Sequence, residues 1–122
     1  MTALSGEALV VQLPDDMDPE CINICNAINE LPCIQTVESC CGHGNHPFRI
    51  WIHIRKGYEE HHLADLLWSL DKCHTGVSSW HCTIYTDCVG DRVSYLIESE
   101  SEGAQAYAEA DVIADTVRDR MS

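Results

Sequence analysis

The sequence predicts a small α+β domain, an antiparallel or mixed sheet covered by helices, with a strand-strand-helix unit occurring twice. Three observations carry this. Phe48, Ile50, Ile52 and Ile54 alternate with Arg49, Trp51, His53 and Arg55, the period of a strand with one face in the core. Cys21, Ile24, Cys25 and Ile28 recur at helical spacing, as do Leu63, Leu66, Leu67 and Leu70. The order strand, strand, helix runs over 33–72 and again over 80–121, with Cys40 and Cys41 near the first turn and Cys88 near the second. A chain of 122 residues, 45% hydrophobic, can bury one small core, so residues 1–122 are read as one domain.

Taken in order, residues 8–13 are short and apolar and read as a strand, ended by Pro14. Asp18 then stands where a helix N-cap belongs, with Pro19 at the first helical position. Cys21 and Cys25 lie on the apolar face of that helix and are expected in the core, as free cysteines commonly are. Leu31-Pro32 closes it. Residues 33–39 are β-branched enough for a strand, and 48–55 form the next. Residues 58–72 read as a helix stopped near Gly76. Residues 80–88 and 93–98 are strands around Gly90-Asp91. Residues 103–121 form the last helix, with Ala106, Ala110, Ile113 and Val117 inward and acids elsewhere. The acid-rich run from Glu98 to Glu102 reads as a solvated face. His61 and His62 are expected at the surface, and Trp68 and Trp80 in the core or at its rim.

The chemistry concentrates between the first two strands. Cys40, Cys41, His43 and His46 fall within seven positions, with Gly42, Gly44 and Pro47 to turn the backbone. Zinc takes thiolate and imidazole ligands, and a tight turn can supply several of them. Cys40-x-x-His43 is such a pair, so all four residues are candidate zinc ligands. His53, His81, Cys82 or Cys88 can complete a set. The competing reading puts Cys40 and Cys41 on opposite faces of the strand end, one buried and one exposed. A thiol beside an imidazole can also act as a nucleophile, although no orienting third group is visible. Just after the motif, Arg49, Trp51, His53 and Arg55 share one strand face, a cationic and aromatic surface suited to an anion such as a nucleotide. Pairing of those arginines with nearby acids is the plainer alternative.

The segment Ile34-Gln35-Thr36-Val37-Glu38-Ser39-Cys40-Cys41-Gly42-His43 resembles the I-x-T-x-x-S-C-x-G-H pattern of small uncharacterised bacterial and phage proteins. It is more distantly similar to the Ser-Cys-x-Gly segment of wybutosine-synthesis methyltransferase-like proteins, which act on tRNA. Only Ser39, Cys40 and Gly42 match there, and His43 stands where that pattern has arginine, so the methyltransferase activity is not carried over. The resemblance implies a bacterial or phage cytoplasmic origin.

A formal net charge of −13 argues against nonspecific binding to nucleic acids or anionic membranes. The opening residues carry no basic segment followed by an apolar run, so a reducing cytoplasm is expected, where eight cysteines point to metal, reactive thiols or core packing rather than disulfides. The expected function is binding, supported by zinc, of a small anionic ligand or of a host protein, with homo-oligomerisation open. The alternatives are a metal- or thiol-dependent hydrolase at the 40–46 tip, and an acidic nucleic-acid mimic that blocks a host DNA- or RNA-binding protein.

Overall fold

The computed structural model describes residues 17–55, 61–72, 79–85 and 94–121. The expected strand at 8–13, the start of the second helix and the turn carrying Cys88 lie outside the described residues. The element order is α1 (Pro19–Asn29), β1 (Ile34–Cys40), a 3-10 turn (Gly42–Gly44), β2 (Pro47–Ile54), α2 (His61–Lys72), β3 (Trp80–Tyr85), β4 (Ser94–Glu102) and α3 (Gly103–Met121). The strands form one antiparallel sheet in the order β1-β2-β4-β3. The α+β expectation holds, and the sheet is antiparallel rather than mixed. The two hairpins meet through their second strands, with Ile50 opposite Ile97.

The helices cover one face of this sheet. α1 packs on β1, α2 on β3, and α3 lies between the two helices over β2 and β4. The core reads directly from the periodicities. Phe48, Ile50, Ile52 and Ile54 are buried on β2, Ile24 and Ile28 on α1, and Ala106, Ala110, Ile113 and Val117 on α3. Each large aliphatic side chain fully buried in this way stabilises the fold by about 1.5–3 kcal/mol relative to exposure. The leucine stripe of α2 is narrower than expected. Leu63 and Leu66 are buried, but Leu67 is 42% exposed. Outside, Trp68 stacks under the Arg120 guanidinium at 4.4 Å.

Two features depart from the simple alternation. β1 carries a bulge, because its register with β2 shifts between Thr36 and Glu38. The bulged Val37 is half exposed. Before it, Ile34 and Thr36 face the core opposite Ile54 and Ile52, and after it Ser39 does so opposite Ile50. Asn29 steadies this edge. Its amide donates to Thr36 Oγ1 and accepts from the Thr36 N–H, both at 2.8 Å. The bond gives an edge-strand N–H the acceptor that a neighbouring strand would have supplied.

β4 runs further than expected, to Glu102. The acidic composition predicts a solvated face, and half of the segment is one. Glu100 and Glu102 are exposed, whereas Ser99 and Ser101 between them are buried. Ser101 donates to buried Glu109 at 2.5 Å, and the Trp80 indole donates to the same carboxylate oxygen at 3.0 Å. The inward serines thus serve polar partners on α3 and β2, since Ser99 Oγ accepts the Phe48 N–H at 2.8 Å. No helix among the described residues is long and apolar enough to cross a membrane.

Cys21 and Cys25 are fully buried on α1, as their spacing predicts. Burial pushes their thiols up from an ordinary value of 9.0 to about 12 and about 11. The unfolded chain therefore loses these protons first, between pH 9 and the folded values, so stability must fall as pH rises through that window. Chemical denaturation at increasing pH is expected to show this fall, reduced in a Cys21→Val variant. At neutral pH both thiols should label with alkylating reagents only as fast as the fold opens. Rapid labelling of the native protein would contradict their burial.

Candidate metal centre

The β1–β2 connection is a tight turn with unusual backbone angles. Gly42 has φ 84°, and His43 has φ 52° and ψ 30°. A left-handed conformation costs a residue with a Cβ roughly 1–2 kcal/mol. Here the turn is held by Asn45 and His46, whose N–H groups both donate to Gly42 O, at 3.2 and 3.1 Å. Gly42 has no alternative side chain. A Cβ there would sit 2.9 Å from the Pro47 carbonyl oxygen. Gly103, where β4 passes into α3, approaches the same turn from the other side, and a Cβ on it would lie 3.3 Å from Gly44 O.

The bulge at Val37 sets which cysteine faces where. Paired in regular alternation, with no bulge, Cys40 would continue the inward phase of Ile34 and Thr36. With it, Cys40 becomes the register partner of Arg49 on the outer face and is half-buried, while Cys41 turns inward and is 3% exposed. The two neighbours therefore have separate environments. Cys40 Sγ accepts the Gly42 N–H at 3.4 Å. Cys41 Sγ accepts the His43 N–H at 3.4 Å, lies 3.9 Å from His43 Nδ1 and receives the Tyr107 hydroxyl at 3.8 Å. Loss of solvation raises the Cys41 thiol above its usual value, although the donated bonds of His43 and Tyr107 oppose this. The bond to Cys41 also raises Tyr107 above its usual value.

Asp18 takes the N-cap position that its place before Pro19 predicts, and it has a second role that local reading misses. It stands at the N-cap of α1 but makes no side-chain cap bond. Its Oδ2 instead accepts the Cys41 N–H at 3.2 Å and lies 4.0 Å from His43 Nε2. Asp18, Cys40 and His43 thereby form a group whose ligand atoms lie within 4.8 Å of one another. Tetrahedral zinc, with bonds of about 2.0–2.3 Å, needs its ligand atoms about 3.3–3.7 Å apart. Small side-chain rotations of about an ångström would close the group on an ion. The donor set suits zinc, which takes sulfur, nitrogen and carboxylate oxygen together. The signal for Asp18 was in the sequence only as an acid beside a proline, 22 positions before Cys40. Nothing local ties the two segments.

The other candidates separate. Cys41 and His46 are not in the group, Cys41 because it turns inward and His46 because it is exposed beyond the turn. Arg49, Trp51 and His53 share the outer face of β2, as their alternation predicts. Arg55 does not join them. It lies past the end of β2 and is buried, its N–H bonded to Cys33 O at 2.6 Å and its Nε to Ile34 O at 3.0 Å. Arg49 is paired with Glu98 at 2.5 Å, so the outer face is not an uncompensated cationic patch. His81 pairs with Glu100 at 3.0 Å on the same sheet, away from the turn, and the sulfur of Cys82 is half-buried against the core. Comparison with protein-family models, curated proteins and solved structures finds no match to this chain.

Replacing Gly42 by alanine adds strain at φ 84° and a collision with Pro47 O. The variant is expected to lose about 1–2 kcal/mol of stability and to displace His43. Denaturant titration checks the first effect, and the His43 side-chain resonances check the second. An unchanged midpoint would mean that the turn differs from the one described.

Proposed function

We propose that this protein holds a zinc ion on Asp18, Cys40 and His43 and uses the remaining coordination position to bind an anionic ligand. What carries the reading is the approach of one thiol, one imidazole and one carboxylate within 4.8 Å, from two segments distant in sequence. Three protein ligands are the pattern of a zinc site that keeps a position for water or for a ligand. His43 is 68% exposed in its side chain, so that position faces solvent. Arg49 supports an anionic occupant. It is the register partner of Cys40 and is held in place by Glu98, and cross-strand partners stand about 4.5–5.5 Å apart at Cβ. Trp51 follows on the same face and offers a ring to a nucleotide base.

A hydrolase is the second reading, favoured by one observation. Asp18 beside His43 supplies the orienting acid that a thiol or metal-water mechanism needs and that the local motif lacks. In the thiol version the nucleophile would be Cys40, because Cys41 is buried and its thiol is pushed up.

Native mass spectrometry of protein prepared without chelator is expected to show one zinc per chain. Asp18→Ala, Cys40→Ser and His43→Ala should each weaken zinc by more than the roughly 10–100-fold that loss of a supporting residue costs. His46→Ala should leave it unchanged. Folded protein without metal, or a dependence on His46 instead of Asp18, would overturn the assignment.

Calorimetric titration of the zinc-loaded protein with inorganic phosphate and with mono-, di- and cyclic nucleotides tests the ligand. Arg49→Ala is expected to weaken the binding member of that panel about tenfold, the loss of one charge-assisted contact. Equal affinity in the variant would remove Arg49 from the site.

A further inference from the structure

We propose that two copies of this chain join through their β3 strands, paired antiparallel about a two-fold axis at Cys82. The pairing is independent of the zinc reading above.

The sheet has two edges, β1 and β3. An edge strand presents unpaired N–H and C=O groups to any extended chain, and proteins that must stay apart blunt it. β1 is blunted. The Ile34 N–H donates to Leu31 O at 3.0 Å and the Thr36 N–H to Asn29 Oδ1 at 2.8 Å, and the bulge at Val37 breaks the row beyond them. β3 has none of these devices among the described residues. Its register with β4 is unbroken from Trp80 to Tyr85, and it holds no proline and no lysine.

The ladder determines which groups of β3 face outward. Bonded and non-bonded pairs alternate along an antiparallel pair of strands. The Glu100 N–H donates to Ser79 O at 3.1 Å, in step with the Trp80–Ser99 register, so His81–Glu98 and Thr83–Leu96 are the next bonded pairs. The N–H and C=O groups of Trp80, Cys82 and Ile84 therefore point away from β4. A two-fold axis at Cys82 sets Cys82 opposite itself and Trp80 opposite the partner's Ile84. Every outward group at these three positions then meets a donor or an acceptor. Ile84 has the helix-side phase of Trp80 and Cys82, yet it is 68% exposed. Pairing lays it beside the partner's Trp80.

Charge selects this edge for a second copy. Two chains of net charge −13 repel each other, so contact favours the surface poorest in acids. β1 carries Glu38, whereas Trp80-His81-Cys82-Thr83-Ile84-Tyr85 carries no acid. Beside it on β4, Glu98 is bonded to Arg49 and Glu100 to His81. One six-residue strand is a small contact, in the class below about 1,200 Å², so the dimer is reversible.

Sedimentation velocity of the full chain over a wide concentration range should show monomer passing to dimer and no further, because a two-fold contact closes on itself. Hydrogen exchange at the same concentrations reads the edge. The amides of Trp80, Cys82 and Ile84 should gain protection as concentration rises, whereas those of His81 and Thr83 should be protected throughout by β4. Ile84→Pro removes an outward N–H and no bond to β4. It should stay monomeric with an unchanged circular dichroism spectrum. Ile84→Lys, a milder change at the same site, should shift the dimer midpoint to higher concentration, and Val37→Lys on the other edge should not. A monomer at every concentration would overturn the proposal. So would equal protection of the three amides at every concentration, which means that the edge is covered within one chain, or a dimer that persists in Ile84→Pro.

Discussion

The single extra residue in β1 governs the chemistry of the turn. Side chains on a strand alternate with a period of two, so one inserted residue exchanges the two faces for everything that follows. Val37 is that residue. It brings Ser39 to the core face and delivers Cys40 outward beside Asp18, while Cys41 goes inward to Tyr107. The Asn29–Thr36 pair of hydrogen bonds lies immediately before the shift and pins the register there. A slip of one position would bury the thiol that lies beside Asp18 and expose the one that packs inward toward Tyr107.

The same constraint explains why the site draws on three distant stretches of chain. The turn cannot supply a closed ligand set itself, since the strand phase after the bulge sends Cys41 inward and the turn leaves His46 in solvent. The acid comes from the start of α1, and Tyr107 in the first turns of α3 donates to Cys41 Sγ behind the turn. Both helices begin at the end of the sheet where the β1–β2 turn lies. Gly42 and Gly103 allow the close approach, one against Pro47 O and the other against Gly44 O. The Asp18 carboxylate gives up the cap bond it could make to α1 and bonds the turn instead, exchanging a local contact for a long-range one.

Periodicity made much of the fold legible. Phe48 to Ile54 and the α3 face of Ala106, Ala110, Ile113 and Val117 stand where alternation and helical spacing put them. Two positions escaped for physical reasons. A bulge leaves no mark in a β-branched run such as Ile34 to Val37, because it depends on pairing with β2. Arg55 continues the alternation in sequence, yet the strand has ended by then and the chain carries it under Ile34 O. At the site, Cys40 and His43 were readable from their spacing, whereas Asp18 was hidden by a plausible local role as N-cap. A residue with a sufficient local explanation conceals a long-range one.

The charge distribution limits what the proposed centre can bind. A chain with net charge −13 concentrates cations near its surface and repels free anions, so the protein's field favours capture of a metal ion and opposes capture of a phosphate at long range. One thiolate and one carboxylate would also cancel the charge of a divalent ion bound to them. An anionic ligand must therefore gain its affinity from direct contacts, a bond to the ion and a hydrogen bond to Arg49, and cannot rely on steering. Because Glu98 is already bonded to Arg49, the guanidinium has to share its donors between that acid and the ligand. Planar, forked donors make such sharing feasible, since Nε can stay on Glu98 while the terminal nitrogens turn toward the ion. On this arrangement Glu98 aims the arginine and weakens its attraction for distant anions. The site would then select ligands that reach the metal itself over those drawn only by charge.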